Sequence, residues 1–297
     1  MKILLTGATG FLGSHLLHAL VANGHHVIIF KRSFSKIQRV AELLSKAFIY
    51  DLDRCDLRQP FKESGPIDAV IHTATCYGRN NEKLSQILEA NTVFPVKLFE
   101  TAISFGVETF FNTDTFFNKG TAFHKHLGGY VLSKRQFMEW GRQIADLRQV
   151  CFVNVRLEHL YGPKDDDSKF VSQILTSCLK NIPELKLTHG EQKRDFIYVD
   201  DAVSAFLLLL EKANQQGRTY QHYDLGTGQA TSVRQFVEMV HHMTESETIL
   251  LFGALPYRDD EMMYSAANVE PLNALGWSPQ YTLEQGVQQI ISWYRHG

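Results

Sequence analysis

The chain is short of cysteine, of charge imbalance and of long apolar runs, and each shortage removes a class of protein. Four cysteines stand among 297 residues, at Cys55, Cys76, Cys151 and Cys178. They make no Cys-x-x-Cys and no metal-ligand spacing, so a reduced intracellular chain is expected, with neither a disulfide framework nor a metal centre. Thirty basic residues against 32 acidic leave a formal charge of −2, which lacks the basic surplus a nucleic-acid binder uses to neutralise phosphates. The longest apolar run, "AFLLLL" at Ala205–Leu210, is far short of the roughly 20 residues a helix needs to span a bilayer. The opening "MKILLT" has strand character and lacks the basic start and long apolar run of a secretory leader. A cytoplasmic protein with no membrane partner is the expectation. What is present, 44% hydrophobic and 21% charged residues, is a globular composition with enough chain for one large domain or two unequal ones.

Apolar segments alternate between strand and helix character. "KILLT", "HVIIF", "DAVIHTA", "TFFNT" and "VCFVNVR" read as buried strands. Between them "FLGSHLLHALVAN" reads as a helix closed by Gly24, residues 82–105 as a helical stretch interrupted near Pro95, and residues 130–147 as another helix. This rhythm predicts an α/β fold, a Rossmann-type doubly wound parallel sheet with helices on both faces. After "YGPKDDDSKF" the rhythm loosens. The expected division is a dinucleotide-binding domain over 1–162, to which the chain returns around 195–225, and a smaller α/β substrate domain over 163–297. No repeat and no low-complexity linker is visible.

Gly7, Gly10 and Gly13 form Gly-x-x-Gly-x-x-Gly between the first strand and the first helix. The first glycine allows a tight turn, the second lets backbone approach a pyrophosphate, and the third lets helix pack close to strand, while the helix N-terminus offers N–H groups to the phosphates. A dinucleotide cofactor is therefore expected. Where NAD-binding chains carry an acid after the second strand, this one has Lys31 and Arg32. A carboxylate repels a 2′-phosphate and a guanidinium binds it, so NADP is expected over NAD.

Tyr130 and Lys134 are four residues apart and share a face on a helix. A phenol ionises near pH 10 and is a poor acid at neutrality, but a neighbouring ammonium lowers that value and makes proton exchange with a substrate hydroxyl or carbonyl feasible. Thr113, at the end of the preceding strand, is placed to donate a hydrogen bond to the same oxygen.

Together these residues resemble the extended short-chain dehydrogenase/reductase family, in its nucleotide-sugar-modifying branch, over nearly the whole chain. "TGATGFLGSHL" is similar to the family's cofactor loop, which implies contacts from Gly7, Thr9, Gly10, Phe11, Leu12 and Gly13. Asp51 and Leu52 resemble the pair that approaches the adenine, Thr73 and Ala74 in "VIHTAT" the strand end beneath the cofactor, and Asn91 a common asparagine near it. Tyr130 and Lys134 resemble the catalytic Tyr-x-x-x-Lys, which also binds cofactor. "GEQKRDFIYVDD" resembles a segment whose arginine, here Arg194, grips a sugar-nucleotide diphosphate, and Arg258 in "LPYRDDE" resembles a second such arginine. The family's habit implies a homodimer through the helices at 82–105 and 130–147.

Two departures matter. The dehydratases of the family carry Thr-Asp-Glu where this chain has Thr113-Asp114-Thr115, and threonine cannot take a proton from a sugar carbon, so dehydration is disfavoured. Asp114 stays a candidate catalytic residue, with a local backbone cap as its plain alternative. His159 replaces an asparagine near the substrate phosphates and either faces the sugar or fills the cleft. "FFNTDTFF" and "GYVLSKRQFMEW" are most similar to reductases that make CDP-3,6-dideoxyhexoses, which implies NADPH-dependent reduction of a 4-keto nucleotide sugar. A nucleotide-sugar 4-epimerase that retains its cofactor, and a non-catalytic NADP-sensing protein, are the alternatives.

Overall fold

The computed structural model describes residues 1–120, 125, 127–148 and 150–296. Part of the reactive stretch between Asn112 and Lys134, at 121–124 and 126, lies outside the described residues. In chain order the elements are β1 (Lys2–Thr6), α1 (Phe11–Ala22), β2 (His26–Lys31), β3 (Ala47–Asp51), α2 (Gln59–Ser64), β4 (Ala69–His72), α3 (Leu84–Leu88), α4 (Phe94–Ser104), β5 (Thr109–Thr115), α5 (Gly128–Arg148), β6 (Cys151–Leu157) and β7 (His159–Tyr161). They continue with α6 (Phe170–Leu179), β8 (Glu184–Leu187), β9 (Lys193–Tyr198), α7 (Val199–Lys212), β10 (Tyr220–Leu225), β11 (Ala230–Ser232), α8 (Val233–Met243), β12 (Ile249–Phe252), α9 (Glu270–Asn273) and α10 (Leu283–His296).

The expected parallel sheet is present. Seven strands run in the order β10-β6-β5-β4-β1-β2-β3, with β1 paired in parallel to both β2 and β4. Chain order reverses at β1, so the crevice outside the ends of β1 and β4 is the switch point where such sheets bind ligands. β1, β2, β4, β5 and β6 are buried along most of their length, which is why they read as continuous apolar runs, whereas β3 at the sheet edge exposes Phe48 and Ile49. An aromatic layer fixes α5 on the sheet: Phe110 lies 4.6 Å from Phe99, and Phe152 lies 5.7 Å from Phe137 on the helix. Gly141 lets α5 approach, because a Cβ there would collide with the Phe152 ring.

The chain forms two compact units, Met1–Leu157 with Val203–Tyr223, and Glu158–Ala202 with Asp224–Gly297. The sequence reading set the first boundary at 162 and the return at 195–225; the chain leaves the first unit as β6 ends at Leu157 and re-enters within α7. The helical stretch at 82–105 changes its winding near Pro95, where the sequence predicts an interruption. A π-turn over Glu89–Val93 joins α3 to α4 along one continuous helical path, and Pro95, which has no N–H to give to that path, stands two residues beyond the π-turn.

The second unit is organised on β9, which pairs with β11 and β7. Asp195 on β9 is fully buried and accepts hydrogen bonds from Thr227 N–H and Oγ1 at 2.8 and 2.7 Å, Gly228 N–H at 2.9 Å and Ala267 N–H at 3.0 Å. A buried carboxylate is tolerated only with such donors. No helix among the described residues is long and apolar enough to cross a membrane.

Candidate active site

The glycine turn is built as its spacing requires. Gly7 has φ +73°, and a Cβ there would stand 2.5 Å from Ala74 N. A Cβ on Gly13 would collide with the Gly7 carbonyl, so α1 can start this close to β1 only with glycine at both positions. Gly10 caps α1 without a side-chain acceptor, and the first turn carries no acidic residue, leaving its N–H groups and dipole directed outward. Thr9 is half-buried beside this turn. Phe11 and Leu12 are turned into the core, so only their backbone is offered to a phosphate. Thr73 is held at the end of β4 by its hydroxyl, which donates to the Thr6 carbonyl at 2.8 Å.

At the ends of β2 and β3 the structure corrects one expectation. The parallel register sets Lys31 opposite Asp51, and Lys31 Nζ is 2.5 Å from Asp51 Oδ1. The two residues expected to read different parts of a nucleotide neutralise one another. Leu52 N–H donates to the Lys31 carbonyl at 2.7 Å, completing the turn. Arg32 is exposed, its guanidinium 4.8 Å from the Phe34 ring. Ser33 donates through N–H and Oγ to Asp53 at 2.7 and 2.6 Å.

Tyr130 and Lys134 occupy the first two turns of α5, 6% and 2% exposed. Lys134 Nζ makes no hydrogen bond with the described residues. Burial pulls its ammonium down to about 8, with Asp114 opposing. The phenol differs from expectation. Burial holds Tyr130 well above its usual range, Tyr77 and Asp114 push the same way, and a hydrogen bond with Thr115 and the charge of Arg79 pull against them. Desolvation of the phenolate outweighs the Arg79 charge and the Thr115 hydrogen bond here, so Tyr130 stands as a protonated donor.

The hydroxyl beside Tyr130 is also not the expected one. Thr113 Oγ1 donates to the His72 carbonyl at 3.2 Å, across the β4–β5 pair. Thr115, two residues on and therefore on the same face of β5, is the threonine that bonds to the phenol. Asp114 points to the other face, 3% exposed, and accepts from Asn118 Nδ2 at 2.7 Å and Asn154 Nδ2 at 3.2 Å. That is a structural carboxylate held by amides rather than one poised to shuttle a proton. Asn91, from the π-turn, is fully buried and committed to protein: its amide takes the Cys76 N–H at 2.7 Å and donates to Ser133 Oγ at 3.0 Å. It ties the loop after β4 to α5 and has no capacity directed at a cofactor.

In the second unit Arg194 is almost buried. Its Nη2 lies 2.5 Å from Glu261 Oε1, and Nη1 donates to the Lys193 carbonyl at 2.9 Å. Arg258 is exposed, and its carbonyl accepts the Glu261 N–H. The His159 ring packs edge-on to Phe196 at 5.7 Å, and burial, with Arg194 and Lys169 adding to it, holds the imidazole neutral. Sequence reading missed Thr115, Tyr77 and Arg79 beside Tyr130, and Glu261 on Arg194. Only Thr115 left a signal, since it shares the face assigned to Thr113.

A parallel sheet with a glycine-lined switch point, a buried Tyr-x-x-x-Lys and an ammonium with no hydrogen-bond partner among the described residues fits a nicotinamide dinucleotide and defines an oxidoreductase-type α/β enzyme. Residues 3–226 match the NAD dependent epimerase/dehydratase family, and the chain belongs to that family. A CDP-abequose synthase from Salmonella muenchen is 36% identical over 294 residues, covering 98% of this chain and 97% of its own. Among solved structures, UDP-glucose 4-epimerase from Thermotoga maritima with UDP-glucose shares the fold at a TM-score of 0.86, with 24% identity over 99% of both chains. UDP-glucose 4-epimerase from Thermus thermophilus in complex with NAD gives 0.82, with 23% identity over 100% of both. The chain is an NAD(P)-dependent enzyme that modifies nucleotide sugars.

Proposed function

We propose that this enzyme is an NADPH-dependent reductase of a 4-keto nucleotide sugar of the CDP-3,6-dideoxyhexose type, acting in the cytoplasm. The observation that carries this is the 36% identity to a CDP-abequose synthase along almost the entire chain. Bound NADPH would supply the hydride for C4 of the sugar. Tyr130 passes its proton to the C4 oxygen, Thr115 holds that oxygen by a hydrogen bond, and the Lys134 ammonium binds the nicotinamide ribose and steadies the phenolate left behind. A phenol that burial keeps protonated suits this direction of transfer. The first unit holds the cofactor, through Gly7, Gly10, Gly13 and Arg32. The second binds the nucleotide diphosphate through Arg194 and Arg258, with Arg194 exchanging Glu261 for phosphate.

A thermal-shift screen of CDP-, UDP-, GDP- and dTDP-sugars with NADP present tests the substrate class. Stabilisation by the CDP sugar above the others is expected, and stabilisation by none removes the reading. A 4-epimerase is the second reading, favoured by the Lys31–Asp51 pair, which leaves less charge for a 2′-phosphate. A non-catalytic sensor is disfavoured by the intact Tyr130 and Lys134. The homodimer would form through α3 and α5, where Leu84, Leu132, Trp140 and Leu147 are 73, 53, 54 and 70% exposed, the last three at helical spacing. Sedimentation of Trp140→Glu as a monomer beside a dimeric parent is the expected result, and a parent that sediments as a monomer refutes it.

A further inference from the structure

One short loop is built against Tyr130 and has no assigned part. It follows β4 and contains Tyr77, Gly78 and Arg79. The Tyr77 ring centroid lies 4.8 Å from that of Tyr130, with 36° between the planes. The Arg79 guanidinium carbon stands 5.0 Å from the Tyr77 centroid. The loop is anchored on both sides of this stack. Asn91 takes the Cys76 N–H at 2.7 Å and donates to its carbonyl at 2.8 Å, while the same amide donates to Ser133 on α5 at 3.0 Å. The residue before Tyr77 is thereby tied to the helix that carries Tyr130. Gly78 has φ +73°, and a Cβ there would stand 2.6 Å from Ile87 Cδ1, so the turn sits against α3 and admits only glycine without strain. Beyond it, the Glu82 carboxylate accepts the Asn80 N–H at 2.8 Å. A solvated loop needs none of this to stay folded.

We propose that Tyr77 and Arg79 are positioning residues for Tyr130, Tyr77 holding the phenol ring in one orientation and Arg79 supplying positive charge that steadies Tyr130 as it gives up its proton. The proposal rests on the reading of Tyr130 as the group that protonates the C4 oxygen. When the phenol O–H bond breaks and the proton passes to the sugar oxygen, a negative charge remains on Tyr130. Arg79 from the loop acts on that charge, and Lys134, one turn further along the helix, shares the face of Tyr130. Tyr77 and Asp114 on β5 oppose that stabilisation, and Thr115 bonds to the phenol. His72, buried against Lys134, is held neutral and adds no charge. Lys134 stands in the second turn of the helix and Arg79 at the exposed rim, so the two cations approach Tyr130 from different elements. Solvent screens Arg79, which limits its effect to a fraction of what a buried charge would give.

The test replaces Tyr130 with 3,5-difluorotyrosine, a more acidic phenol that titrates where the protein is stable, and follows its ionisation by ¹⁹F NMR with NADP bound. Arg79→Gln is expected to raise the midpoint by roughly half a pH unit, and Arg79→Lys to restore most of it. Tyr77→Leu, which removes the ring stacked at 4.8 Å on that of Tyr130, should broaden the ¹⁹F signal as the phenol ring loses its single orientation, and an unchanged line would take Tyr77 out of the proposal. In the protein with natural tyrosine, Arg79→Gln should lower kcat about threefold while leaving KM for the keto sugar unchanged. An unmoved midpoint in Arg79→Gln, or a change confined to KM, overturns the proposal. Absence of NADPH consumption by the parent would refute the reductase reading alone, because the titration does not depend on turnover.

Discussion

Lys31 Nζ lies 2.5 Å from Asp51 Oδ1, at the aligned ends of β2 and β3. The pair is sheltered, with the two side chains 12% and 28% exposed, and it removes Lys31 from competition for a ribose phosphate. Arg32, stacked at 4.8 Å over Phe34, is the cation next in line. Arg32→Ala should therefore weaken NADPH by about tenfold or more, the range of a lost charge-assisted hydrogen bond at about 1.5–3 kcal/mol, with NADH hardly changed. Lys31→Ala should do less, and Asp51→Asn should tighten NADPH by freeing Lys31. Fluorescence titration with both cofactors checks this. Equal losses for NADH and NADPH in Arg32→Ala would show that the 2′-phosphate is not read there.

Thr115 and Thr113 separate function from framework on one strand. Thr115→Val should lower kcat by about 10²–10³, the usual effect of removing one donor from a developing oxyanion, with cofactor affinity retained. Thr113→Val removes only the bond to the His72 carbonyl. It should lower stability by about 1 kcal/mol and keep most of the turnover. Steady-state kinetics and thermal midpoints of both variants give the comparison, and the opposite pattern would return the role to Thr113.

Lys134 makes the free protein less stable than it could be. Its ammonium is held at about 8 instead of 10.5, so between these values the unfolded chain binds more protons than the folded one. Stability then rises with pH from about 8 to 10.5, and below pH 8 the full penalty of about 3 kcal/mol applies. Lys134→Met should raise the thermal midpoint of the cofactor-free protein at pH 7, flatten that pH dependence, and abolish turnover. A lower midpoint for the variant at pH 7 would mean that the ammonium is satisfied within the chain.

Arg194 is gripped by Glu261 at 2.5 Å, so any diphosphate must displace a carboxylate. Arg194→Ala should weaken nucleotide-sugar binding by about tenfold or more and leave NADPH affinity intact, while Glu261→Gln should strengthen sugar-nucleotide binding by removing the competitor. Calorimetry on the two variants measures both effects. Unchanged substrate affinity in Arg194→Ala would make the pair a structural one.

The parts of this site visible in the sequence were those governed by local backbone geometry. Gly7, Gly10 and Gly13 occupy positions that a side chain would block, and Tyr130 and Lys134 meet because a helix brings residues four apart together. The central strands of the sheet were readable because burial on both faces makes them continuously apolar. What stayed hidden was set by partners far apart in the chain. Lys31 and Asp51 are twenty residues apart and meet only through strand register, and Glu261 reaches Arg194 across 67 residues. The choice between Thr113 and Thr115 could not be made from alternation, which puts both on one face. It depends on how far β5 runs past β4 before α5 begins.

The most direct test of the central claim counts hydride. Purified enzyme is mixed with NADPH and a CDP-linked 4-keto sugar, and absorbance at the reduced-nicotinamide band is followed alongside the sugar product. The account predicts NADPH loss mole for mole with the keto sugar, abolished in Tyr130→Phe, which retains cofactor binding but has no proton to give. Enzyme that purifies with oxidised cofactor bound, and interconverts two sugar nucleotides with no net consumption of NADPH, would contradict it and leave the epimerase reading in its place.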